Sequence, residues 1–126
     1  MKFSINKEEK YTILKLDEEK LDSVIAPQLK TEFTNLNAEG TKNIIFDMSE
    51  VKYTDSSGLS AILVANRICG AIDGYLILTG TQDHVNKLIE ISQLTDVLNI
   101  IPTNDEAIEA IFMNEIEGEI NDEEKN

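Results

Sequence analysis

Apolar positions along the chain alternate between short strand-like runs and longer helix-like stripes. Lys2 to Asn6 alternates polar and apolar, and Tyr11 to Leu16 does so again, with Ile13, Leu14 and Leu16 as apolar members. The charged run Lys7-Glu8-Glu9-Lys10 separates them, which predicts two strands joined by a short turn. Asp17-Glu18-Glu19-Lys20 is a second charged break, and Leu21-Asp22-Ser23-Val24 then fits either a short third strand or an extended loop. Pro27 precedes Leu29, Phe33 and Leu36, a single apolar stripe, and Gly40 follows. That predicts a helix with proline in its first turn, where the missing N–H costs nothing.

The second half repeats the pattern. Asn43 to Met48 is a short apolar strand bounded by turn-formers, and a helix follows Gly58 as far as about Gly70. Tyr75 to Leu78 lacks alternation, as a strand covered on both faces does. Val85, Leu88, Ile89 and Ser92 keep a helical period; Val97 to Ile101 is the last strand, closed by Pro102. Thr103 with Glu106 predicts a capping box, and Ala107, Ile108, Ile111 and Phe112 an amphipathic helix after it. Strand–helix alternation of this kind implies an α/β fold with a small mixed, mostly parallel sheet. The first hairpin supplies an antiparallel N-terminal edge, and roughly four helices cover the sheet. Residues 1–113 read as one domain, and the acidic residues 114–126 as a tail without regular structure.

The stretch that could carry function lies between Phe46 and the second helix: Asp47-Met48-Ser49-Glu50-Val51-Lys52-Tyr53-Thr54-Asp55-Ser56-Ser57-Gly58-Leu59. It reads as strand, polar loop, then the first turn of a buried helix. Ser and Asp at a helix start accept hydrogen bonds from unpaired amides, so a plain cap explains Asp55, Ser56 and Ser57 by itself. A second reading is that the Ser56 hydroxyl is placed to carry a phosphate, which helix amides and the positive end of the dipole would meet. Asp55 either caps the helix or orients the Ser56 hydroxyl. Gly58 permits close approach of either a partner's backbone or the helix itself.

The order Asp-x-Ser-x-Val-x-Tyr-x-Asp-Ser-Ser-Gly-Leu over Asp47 to Leu59 resembles the signature of STAS domains, and of bacterial anti-sigma factor antagonists in particular. The resemblance covers roughly Phe3 to Met113, and it implies a small sheet with helices packed against it. It implies that Ser56 is a regulatory phosphorylation site, with Asp55, Ser57 and Gly58 in the partner-facing surface. It also implies a partner role for Asp22, in the loop after the second strand, although the family's glycine there is Glu19 in this chain. A solvated loop residue is the alternative for Asp22. The implied function is partner switching: the unphosphorylated chain binds an anti-sigma factor that is also a Ser kinase, and a Ser phosphatase resets it. An accessory module of a lipid or anion transport system is the alternative within the same family.

Composition narrows the remaining classes. A formal net charge of −13 argues against nucleic acid or an anionic membrane as partner, since both need clustered Lys and Arg. No apolar run is long enough to span a membrane, and Met1 to Lys10 lacks the apolar middle of a signal peptide. A cytoplasmic location is expected, and the single Cys69 excludes an internal disulfide. Cys69 reads as small packing, and His84, the only histidine, as a surface or capping residue. No nucleophile–base pair, metal set or glycine-rich phosphate loop is legible, so no enzyme activity, cofactor or metal is expected. The oligomeric state is open.

Overall fold

The computed structural model describes the backbone of residues 1–124 and the side-chain surroundings of residues 1–117. The elements are β1 (Phe3–Lys7), β2 (Thr12–Leu16), β3 (Lys20–Leu21), α1 (Ala26–Ala38), β4 (Ile44–Asp47), β5 (Tyr53–Thr54), α2 (Ser56–Ala71), β6 (Leu76–Thr79), α3 (Asp83–Ile91), β7 (Asn99–Ile101) and α4 (Asn104–Glu124). The main sheet has the order β1-β2-β4-β6-β7. β1 and β2 are antiparallel; β2, β4, β6 and β7 run parallel. The expected α/β architecture, with its antiparallel edge and four helices, is the one observed.

The central strand shows why alternation is absent from its sequence. All of Ile44-Ile45-Phe46-Asp47 is buried, because both faces of the sheet are covered. Ile44 and Phe46 join the larger core, with Leu29 and Phe33 of α1, Ile62 of α2, and Val85 and Ile89 of α3. Ile45 points the other way, into a smaller cluster with Ile77, Ala107 and Ile111 under α4. Leu76, Leu78 and Ile77 of β6 divide between the faces in the same manner. Phe33 meets Phe46 edge to face at 5.3 Å, fixing α1 on the sheet.

Two features depart from expectation. α4 does not end near Met113 but continues to Glu124, so residues 114–124 are helical where a structureless acidic tail was expected; residues 125 and 126 lie outside the described ones. Glu115 helps hold this continuation, pairing with Lys42 at 3.4 Å and accepting from Asn43 at 3.3 Å. The second is a separate two-stranded sheet, in which Lys20 and Leu21 pair in parallel with Tyr53 and Thr54. β5 is only two residues long inside a polar loop, too short to show a period. The Thr103–Glu106 cap forms with altered geometry. The Glu106 amide donates to Thr103 Oγ1 at 3.2 Å, and the Glu106 carboxylate accepts from that same hydroxyl rather than from backbone.

Asp47, at the carboxyl end of β4, is a buried acid held by a network. It accepts from the Ser49 amide at 2.9 Å and from Asn104 Nδ2 at 3.0 Å, while Thr79 Oγ1 donates to Asn104 Oδ1 at 2.6 Å. Burial pushes the Asp47 pKa up. The Ser49 and Asn104 hydrogen bonds and the Lys15 charge outweigh it, and the net direction is down. A depressed folded-state pKa stabilises the fold above the ordinary value of 3.8, and that contribution is lost as pH falls below it. Chemical unfolding at pH 7 and pH 2.5 should therefore show wild type losing more stability than Asp47→Asn across that interval. Parallel losses in the two proteins would refute the role of Asp47.

Candidate functional site

The start of α2 is built from the backbone outward. Asp55 is its N-cap, in extended conformation, and one carboxylate oxygen accepts from the amides of Ser57 at 2.9 Å and Gly58 at 3.1 Å. Of the two roles open for Asp55, the geometry assigns the cap. Ser57 takes part through its amide. Ser56 is the first helical residue and is exposed.

The loop before it is anchored to β3. Thr54 is buried, and its hydroxyl donates to the Leu21 carbonyl at 2.8 Å. The amide of Asp55 reaches the same oxygen at 3.4 Å. Gly58 is buried against this junction: a Cβ there would press on Thr54 Oγ1 and lie 2.5 Å from the Leu21 carbonyl oxygen. Of the two close approaches open to Gly58, a partner's backbone or its own helix, the fold shows the second. The close approach it permits is that of α2 to this chain's own β3.

Asp22 follows Leu21 directly and turns the chain into α1. Its carboxylate accepts from the Val24 amide at 3.0 Å and the Ile25 amide at 3.4 Å; its carbonyl accepts from Ala26 at 2.8 Å. It is half-buried and serves the loop conformation beside the site. Glu19 fits in place of the family's glycine. Among the described residues only Asp73 and Gln93 combine a side chain with positive φ, so Glu19 needs no left-handed backbone. Its carbonyl accepts from the Lys52 and Tyr53 amides at 2.8 and 3.1 Å, which ties it to β5.

These loops enclose a groove of about 300 Å³. Ser23, Ala26, Pro27 and Lys30 line it from the α1 side, and Ser56, Ser57 and Ser60 from α2. Val24, 74% exposed, stands beside it. Tyr53 stacks on His84 of α3 with ring centroids 4.7 Å apart, giving the lone histidine a surface packing role. The sequence pattern does not mark Lys30 for this surface. Lys30 falls one residue after the buried Leu29 of α1, a placement that does carry a signal once the helix is docked. Two of the amides expected to receive a phosphate are already taken by Asp55. Cys69 is buried, and burial pushes its thiol up to about 11, which removes it as a nucleophile.

The STAS domain family model matches residues 2–107. The chain belongs to the STAS domain family. It is 29% identical over 80 residues to an anti-sigma-B factor antagonist of Staphylococcus aureus, an alignment covering 64% of this chain and 74% of that protein. The fold is shared with the anti-sigma factor antagonist SpoIIAA in its unphosphorylated form, at 22% identity and a TM-score of 0.75 over 87% of this chain and 96% of that one. It is also shared with the phosphorylated form of Bacillus SpoIIAA, at 22% identity and a TM-score of 0.69 over 87% and 99% of the two chains.

The Leu21–Gly58 junction makes this STAS domain sensitive to one methyl group. Gly58→Ala should destabilise it by about 1–3 kcal/mol or more, as overpacking against backbone does. Asp55→Ala should cost about 1 kcal/mol, and Asp55→Asn much less, because Asn caps as well as Asp. Denaturant unfolding of the three variants checks both; a neutral Gly58→Ala would show that the junction is not tight.

Proposed function

We propose that this STAS domain is an anti-sigma factor antagonist controlled by phosphorylation of Ser56. In this reading the unphosphorylated protein binds an anti-sigma factor with Ser kinase activity, and a Ser phosphatase restores the binding form. The observation that carries it is the position of Ser56. It is the exposed first residue of α2, beside an acid that does the capping, at the motif position of the family's phosphoserine. Its hydroxyl is accessible to a kinase without unfolding of the helix. Asp22, Asp55 and Ser57 form and support the surface around it.

The switch is electrostatic. A phosphoryl group adds about −1.5 to −2 charges at neutral pH, directly next to Asp55. A protein docked over the groove would have to desolvate that charge against like charge, which opposes binding. Nothing in the core needs to move, since Leu59, Ala61 and Ile62 are buried on the other side of the helix. The transport-accessory alternative is not favoured, because the curated relative matched over most of its length is an anti-sigma-B factor antagonist.

Binding of the cognate kinase to Ser56→Ala and Ser56→Asp tests this. Ser56→Ala should bind like the unmodified protein and resist phosphorylation. Ser56→Asp should bind about 10- to 100-fold more weakly, about 1.4–2.8 kcal/mol. Equal affinities in calorimetry would remove the proposal.

A further inference from the structure

The groove beside Ser56 has one charged side chain in its lining, Lys30. It comes from α1, while Ser56, Ser57 and Ser60 come from the first turns of α2. Lys30 is half-buried, and among the described residues its ammonium makes no ion pair and no hydrogen bond. Lys7, Lys15, Lys42 and Lys52 each have a carboxylate within 4 Å. Among the described residues Lys2, Lys10, Lys20 and Lys87 lack an ion pair as well, but of all these lysines only Lys30 lines the groove of Ser56.

A phosphoryl group on Ser56 meets a specific electrostatic problem. The amides of Ser57 and Gly58 are occupied by the Asp55 carboxylate. That carboxylate is itself anionic and adjacent in sequence. The helix start therefore cannot receive the new charge through those two donors, and a cation in the groove would offset it. Lys30 lines the groove and is half-buried, and a long lysine stem lets the ammonium reach toward an anion.

We propose that Lys30 is the counter-charge for a phosphoryl group on Ser56, drawing it into the groove between α1 and α2. This rests on the reading of Ser56 as a phosphorylated residue. The contact offsets repulsion from Asp55, so the phosphorylated protein keeps its fold while its surface no longer accepts the partner. It also links α1 to α2 in the phosphorylated state only.

The test uses the full chain with phosphoserine placed at position 56 by semisynthesis, so that no kinase is required. Thermal unfolding is compared for wild type, Lys30→Gln and Lys30→Arg, each with and without the phosphate. Phosphorylation should lower the Tm of Lys30→Gln by about 3 °C or more beyond its effect on wild type. Lys30→Arg should behave as wild type, and the difference should collapse in 1 M NaCl, where the screening length is about 3 Å. An equal shift in wild type and Lys30→Gln, or a difference that survives high salt, would overturn the role of Lys30. Binding of the kinase to the same proteins separates this from the switch itself. Lost Tm coupling with intact partner release refutes only the counter-charge; intact coupling with unchanged partner binding refutes only the switch.

Discussion

The site depends on one carbonyl oxygen, that of Leu21. It accepts from the Thr54 hydroxyl at 2.8 Å and from the Asp55 amide at 3.4 Å, and Gly58 packs against it. Those contacts bring the end of the β3 strand, the β5 strand and the start of α2 to one point. The Leu21 side chain is fully buried, so the oxygen is anchored from the core. A buried carbonyl must be paired, and here the partners come from the functional loop itself. Loop and helix start are thereby fixed relative to Asp22, which leaves Leu21 in the other direction and turns the chain into α1.

The sheet supports this junction from below. β4 delivers the chain to the loop with both faces of the strand buried, and Asp47 closes it by bonding Ser49 and Asn104. The same acid thus joins β4, the following turn and the start of α4. Through Thr79 and Asn104 it also reaches the end of β6. The carboxyl ends of the parallel strands are cross-linked by hydrogen bonds, while the α1–α2 side holds the larger core. The thinner face, under α4, contributes Ile45, Ile77, Ala107 and Ile111 as its buried members.

Most of the fold was legible because period and punctuation agree in this sequence. Leu29, Phe33 and Leu36 mark α1 and are buried there. The unalternating runs at Ile44 and Leu76 mark strands with two covered faces. What escaped was short or conditional. β5 is two residues long, and its pairing with Lys20 and Leu21 depends on contacts more than thirty positions away in sequence. The helical continuation past Met113 ran against an acidic composition. Phe112, Met113 and Ile116 are exposed on it, so core burial leaves no apolar signal there. At the site, the motif marked Asp55 and Ser56, which the fold sets as N-cap and first residue of α2. It did not distinguish a glycine that faces outward from one pressed on its own chain, because both uses demand the same residue. Lys30 could be found only after α1 and α2 were docked.

Asp55 and Ser56 divide two tasks that a single residue could not perform together. A serine serving as N-cap would use its oxygen to hold helix amides, and modifying it would strip the cap. Here the carboxylate one position earlier holds those amides, which releases the Ser56 hydroxyl from structural duty. The arrangement has a consequence for charge. The residue that frees the hydroxyl is also an anion, so any phosphate on Ser56 arrives beside existing negative charge. The change in surface potential is correspondingly large for a partner, while the helix keeps its cap throughout. In the proposed reading stability and recognition fall to adjacent residues, and a modification of Ser56 acts on recognition with little leverage on the fold.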